Sequence, residues 1–191
     1  ILPVAVEYLM ICPDALIDAA AVLARYRELR GYGVHLVPLS QIGPPPLSAV
    51  EIDQFIEDYA VAAPQLRFLA LVGDVGLLPG FLVDDGTEQW YSDLRYADTD
   101  GNFAQDYRPD VALGRIPVAS ADELFDYVAK VKWFEQTFRH RNKALFFGDQ
   151  AEMSYVANRD SLAASDAGYL VETLYEPGET ELMAALNDPS L

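Results

Sequence analysis

Residues 67–74 read Arg-Phe-Leu-Ala-Leu-Val-Gly-Asp, and Lys143–Asp149 (KALFFGD) echoes them: a base, a short unbroken apolar run, then Gly-Asp. An apolar run of strand length that does not alternate is what a strand covered on both faces requires, and such strands belong to parallel sheets flanked by helices. Upstream of the first copy, Val4–Ile11 is another mostly apolar run, closed by Pro13 and Asp14 as a break and helix N-cap. From Ala15 to Leu29 the residues Leu16, Ala19, Ala20, Leu23 and Tyr26 recur at helical spacing, with Gly31 and Gly33 as the stop. Val34–Leu39 then reads as a strand. After Pro44-Pro45-Pro46, Ser48 and Glu51 form a capping box ahead of Ile52, Phe55, Ile56 and Tyr59 on a second amphipathic helix that ends before Pro64.

Downstream of Asp74 the pattern changes. Residues 75–109 are dominated by Gly, Pro, Asp and Tyr, show no helical period, and are expected to form a long functional loop. Asp110–Ile116 reads as a further strand. Ser120 with Glu123 repeats the capping box and opens a helix with Leu124, Val128, Val131, Phe134 and Phe138 on one face, ending at the basic Arg139-His140-Arg141. After Lys143–Gly148, residues 156–166 read as a helix, 169–175 as a strand, and Thr180–Leu186 as a helix start. The expectation is an α/β protein with a parallel-sheet three-layer sandwich in two side-by-side subdomains. The first spans 1–140; the second, 141–191, is incomplete.

Composition removes several function classes. With 51% hydrophobic and 12% aromatic residues in 191, the chain can build a core and is neither disordered nor a disulfide-stapled miniprotein. Thirty Asp and Glu against thirteen Lys and Arg give a net charge of -17, which repels phosphate backbones, so nucleic acid is not expected as a partner. No membrane span is expected, because Asp18 interrupts the apolar stretch 15–24 and Gly73-Asp74 interrupts 68–83. Cys12, the single cysteine, can form no disulfide within the chain. The chain starts at Ile1 without a leader, which leaves removal of a signal peptide or pro-segment open.

In open α/β sheets ligands gather at the carboxyl ends of the strands, which singles out Asp74, Arg115 and Asp149, although an Asp after a strand-ending Gly also caps turns. Asp98, Asp100, Asn102 and Asp106 place oxygen ligands at alternating positions, as a hard cation such as Ca²⁺ prefers. An EF-hand is excluded, because the glycine falls at the fourth loop position and Pro109 stands where the twelfth requires Glu. A Ca²⁺ loop of another type and a surface loop of Asx turns both remain open. Cys12, His35 and His140 exhaust the thiol and imidazole inventory; none has an orienting partner in sequence, and all three read as structural. No phosphate loop, zinc spacing or Gly-x-Ser-x-Gly elbow is present.

Taken in order, EYLMI, YRELRGYGVHLVPLSQI, FLALVGDVGLLPG, WYSDLRYADTDGN, PDVALGRIPVASADEL and KVKWFE followed by KALFFGD resemble the gingipain-type cysteine peptidase family. Leu71-Val72-Gly73-Asp74 with Pro79, Ser92-Asp93, Tyr96-Ala97-Asp98 and Pro109–Pro117 are the most specific pieces, and the resemblance covers about residues 4–191. It implies a caspase-like α/β catalytic unit. It also implies a cysteine endopeptidase acting on protein or peptide substrates through a His in a Gly-His-Gly segment and a later Cys. Neither motif occurs here, so the dyad is expected beyond Leu191, in the remainder of the catalytic domain, and no catalytic residue is expected among residues 1–191. The resemblance further implies structural Ca²⁺, no organic cofactor, and secretion or display at the cell surface. Glu152 stands near the place linked to a basic P1 pocket in the Arg-specific relatives. The alternative is a peptidase-fold protein without its dyad that acts in binding, secretion or assembly; an unrelated nucleotide-binding or receiver-like domain is disfavoured by the missing phosphate-binding glycines.

Overall fold

The computed structural model describes residues 5–102, 108–137, 143–148, 162, 164–165, 170–175, 180 and 184. The chain divides into two compact units, Ile1–Lys132 and Trp133–Leu191.

The first unit is built on four parallel strands in the order β2-β1-β3-β6: β1 (Tyr8–Cys12), β2 (Val34–Pro38), β3 (Phe68–Val72) and β6 (Ala112–Ile116). Leu9 stands opposite His35 and Leu69, and Leu71 opposite Arg115, so the register lines up the carboxyl ends of all four strands. RFLALVG is a central strand, and it is buried on both faces as its unbroken apolar character requires.

Successive residues of β1 and β3 point to opposite sides and build two separate cores. Met10, Cys12, Ala70 and Val72 face α1 (Ile17–Leu29) and α4 (Ala121–Thr137), where Leu23, Leu124 and Val128 pack against them. Leu9, Ile11, Leu69 and Leu71 face α3 (Ala49–Ala62), which contributes Ile52 and Ile56, and Leu78 and Tyr96 complete that side. Helix, sheet and helix form the expected three-layer α/β sandwich.

The helix starts follow local chemistry. At α3 the box is complete, with Glu51 N donating to Ser48 Oγ at 3.3 Å and Ser48 N donating to Glu51 Oε2 at 2.7 Å. At α4 only half of it forms: Glu123 N donates to Ser120 Oγ at 3.3 Å, while the Glu123 carboxylate accepts from Ala119 N at 2.7 Å. Strand β2 stops at Pro38, and Leu39–Ile42 is the short helix α2.

Within residues 75–109 the described residues hold regular structure where the composition predicts a long loop. Phe81–Asp84 (β4) and Gln89–Ser92 (β5) form an antiparallel hairpin, followed by a 3-10 turn at Leu94–Ala97. The hairpin turn is built by side chains that period counting does not register. Asp84 Oδ1 accepts from Gly86 N at 2.8 Å and Asp85 Oδ1 from Thr87 N at 2.8 Å, with Gly86 at φ +86°.

In the second unit β7 (Lys143–Gly148) pairs in parallel with β8 (Leu170–Tyr175), Lys143 opposite Leu170 and Gly148 opposite Tyr175. The helix expected over 156–166 falls mostly outside the described residues.

Leu71 is fully buried in the α3-side core, whereas Val61 on α3 is 82% exposed. Leu71→Ala is expected to destabilise the fold by about 2–5 kcal/mol and Val61→Ala by less than about 0.5 kcal/mol in denaturant unfolding. Equal costs would contradict the layer assignment.

Candidate functional site

At the carboxyl edge of the sheet, Arg115 does not point into a ligand crevice. All five of its N–H groups are used within the fold. Nε and Nη2 donate to the two oxygens of Asp93 at 2.6 and 2.7 Å. Nη1 donates to the carbonyls of Gly73 at 2.8 Å and Leu78 at 2.9 Å, and Nη2 reaches the Pro79 carbonyl at 3.4 Å. The ligand-binding expectation for Arg115 is therefore corrected to a structural clamp: a planar fork with no donor left over has nothing to offer a substrate.

The edge between β1 and β3, where the direction of winding switches, is closed as well. A Cβ at Gly73 would sit 3.3 Å from the Pro13 ring, and Gly73 holds φ at +133°, a backbone that favours glycine. Asp74 is exposed, and its carboxylate accepts from Val75 N at 2.7 Å, the turn-capping alternative. Asp149 and His140 lie outside the described residues.

Cys12 is fully buried, and burial first, then the charge of Asp14, pushes its thiol up to about 12. It is no nucleophile. His35 on β2 is half-buried, and its Nδ1 lies 2.8 Å from the Tyr59 hydroxyl on α3, a structural partner. Both outcomes agree with the reading of these residues as structural.

Carboxylates gather instead just after the Leu94–Ala97 turn. Asp98, Asp100 and Asp110 each offer one oxygen, and the three oxygens lie within 4.8 Å of one another. Asp98 is 4% exposed, while Asp100 and Asp110 are exposed. The Asp110 carboxylate accepts from Thr99 N at 2.8 Å and from Asp100 N at 3.3 Å, which folds the loop back onto the start of the β6 segment. Asn102 is present but caps its neighbour: its N and Nδ2 donate to Asp100 at 3.1 and 2.7 Å. Loss of solvent first, then a hydrogen bond with Asp98 and the charge of Asp110, push Asp100 above the usual carboxylate range. An all-oxygen set this crowded matches the donor chemistry of a hard cation such as Ca²⁺. Two expected candidates, Asp106 and Glu152, lie outside the described residues.

Sequence reasoning missed Asp110 and Asp53. Asp110 was placed at a strand start, and nothing local shows that it folds back beside Asp98 and Asp100. Asp53 carried a signal, since it interrupts the apolar stripe of α3 between Ile52 and Ile56. It is 2% exposed, with Oδ2 at 2.9 Å from Arg95 Nε and no hydrogen-bond partner at Oδ1. Burial, opposed by the Arg95 charge, pushes it up to about 6.

The first unit is thus a parallel α/β sandwich with a hairpin inserted after its third strand, and the single cysteine of the chain is buried within it. The sequence model of peptidase family C25 matches residues 2–186, and the chain belongs to that family, the gingipain family of cysteine peptidases. Solved structures agree on the fold. The Arg-specific cysteine proteinase gingipain R (RgpB) is 20% identical with a TM-score of 0.72, covering 98% of this chain and 46% of that one. A complex of the RgpB pro- and mature domains from Porphyromonas gingivalis is 18% identical with a TM-score of 0.71 over 94% of this chain and 45% of that one. Latent PorU from the same organism is more distant, at 19% identity and a TM-score of 0.51, covering 71% of this chain and 16% of that one. The chain thus spans less than half the length of these structures. No curated protein matches it.

Asp53 yields a pH test. Its carboxyl takes a proton more readily in the folded chain than in the unfolded one, so its contribution to stability is greatest below about pH 4 and declines as pH rises through about 6. Relative to Asp53→Asn, the wild-type chain is expected to lose about 2–3 kcal/mol between pH 4 and 7, at about 1.4 kcal/mol per pH unit. Parallel stability profiles would contradict the buried placement.

Proposed function

We propose that this chain is part of a cysteine endopeptidase catalytic domain that hydrolyses peptide bonds in protein substrates, with the Cys–His dyad contributed by polypeptide outside residues 1–191. The observation that carries this reading is the family match over residues 2–186, combined with a single cysteine that is buried and held protonated. In that enzyme the dyad His assists attack of the thiolate on the peptide carbonyl and protonates the leaving amine, while backbone N–H groups hold the oxyanion. Residues 1–132 supply a rigid sandwich that supports this machinery. Glu152 is the candidate in this chain for meeting a basic P1 side chain.

The carboxylates of Asp98, Asp100 and Asp110 are proposed to hold a structural Ca²⁺, with Asn102 ordering Asp100 and Asp106 a further candidate ligand. The ion would offset the mutual repulsion of three neighbouring carboxylates. A secreted or cell-surface location is part of the same proposal. The rival reading, a fold kept for binding, secretion or assembly, predicts the opposite result below.

The test is a thiol-directed peptidyl probe applied to the protein encoded by the whole gene, with and without Ca²⁺, alongside thermal unfolding. Labelling is expected at a cysteine other than Cys12. Ca²⁺ at a hundredfold excess over its Kd is expected to stabilise the chain by about 2.7 kcal/mol, and Asp98→Asn with Asp110→Asn to abolish that gain. An unlabelled protein would overturn the peptidase reading; an unchanged transition would overturn the metal site.

A further inference from the structure

On the hairpin β4–β5, Leu82 and Tyr91 form an apolar cross-strand pair that stays exposed among the described residues. Antiparallel partners share a face, so Phe81, Ser92, Val83 and Trp90 lie on one side and Leu82, Tyr91, Asp84 and Gln89 on the other. The first side is anchored. The Phe81 ring lies 5.1 Å from that of buried Tyr96, and the Arg95 guanidinium lies 4.7 Å over Phe81. On the second side Leu82 is 56% and Tyr91 57% exposed. A two-stranded ribbon is marginal in water, and an outward apolar cross-strand pair adds no burial to stabilise it unless another surface covers it.

The charge around the face says what kind of surface that is. From Asp74 to Asp93, both included, the sequence has five acidic side chains and no base. At the ribbon tip the turn N–H groups and Gln89 hold the Asp84 and Asp85 carboxylates below the usual range, so both stay ionised beside Glu88. A second copy of this chain would bring the same acids to the same face and meet repulsion.

We propose that the outer face of this hairpin docks a basic, partly apolar polypeptide segment. Lys or Arg side chains lie along the Asp84, Asp85 and Glu88 tip, and an aliphatic or aromatic side chain covers the Leu82–Tyr91 pair. An Arg guanidinium on the Tyr91 ring adds a cation–π contact that an acidic partner cannot make. The test of this surface does not depend on peptidase activity.

The test is fluorescence anisotropy with a short labelled peptide of alternating Arg and Leu, and its Glu-Leu counterpart, against this chain. The Arg-Leu peptide is expected to bind with an affinity that falls as salt is raised, and the Glu-Leu peptide not to bind. Leu82→Ser with Tyr91→Ser, and separately Asp84→Asn with Asp85→Asn and Glu88→Gln, are each expected to weaken binding about tenfold or more. Removing three acids elsewhere, with Asp18→Asn, Asp58→Asn and Asp122→Asn, is expected to leave it unchanged. Equal weakening by that control, no effect of either hairpin variant, or a dimer of the parent chain that Leu82→Ser with Tyr91→Ser dissolves would each overturn the proposal.

Discussion

One guanidinium holds the carboxyl end of the first unit's sheet together. Between Gly73 and Val111 the polypeptide leaves the sheet, makes a hairpin and a 3-10 turn, and returns with no long helix among its described residues. Arg115 on β6 ties that excursion at both ends: it takes the carbonyls of Gly73, Leu78 and Pro79 on the way out and the carboxylate of Asp93 on the way back. Lysine could not replace it. A single ammonium has three donors and no planar fork for the bidentate carboxylate contact.

That clamp explains the division of labour in the fold. With Arg115 consumed and Gly73 pressed against Pro13, the carboxyl edge of the sheet is a braced wall. The chemistry left on the surface belongs to the excursion the clamp holds: the apolar and acidic hairpin, and the three carboxylates that follow the Leu94–Ala97 turn. Asp53 and Arg95 join that turn to α3, at the cost of a buried carboxyl above its usual range. Family C25 membership gives the arrangement its context, since the same α/β sandwich belongs to a family of cysteine peptidases.

Much of the scaffold was legible in the residues. RFLALVG declared a doubly covered strand through its lack of alternation, and the Ser48–Glu51 box marked a helix start, because both signals are local. The hairpin was not legible, since Asp84 and Asp85 shape its turn by bonding to backbone N–H groups two residues on, which leaves no hydrophobic period to read. The role of Arg115 is not legible for a different reason: its four partner residues lie between 22 and 42 residues away in sequence, and only the folded register brings them together. Asp98 and Asp100 were found by spacing, whereas Asp110 reaches them through tertiary return of the chain.

The most direct measurement is a double-mutant cycle on the clamp, with Arg115→Lys, Asp93→Asn and the pair compared by equilibrium unfolding. If the clamp organises the excursion, each single change costs about 3–5 kcal/mol and the double change costs far less than their sum. Single costs below about 1 kcal/mol, or costs that add to within about 0.5 kcal/mol, would contradict the account.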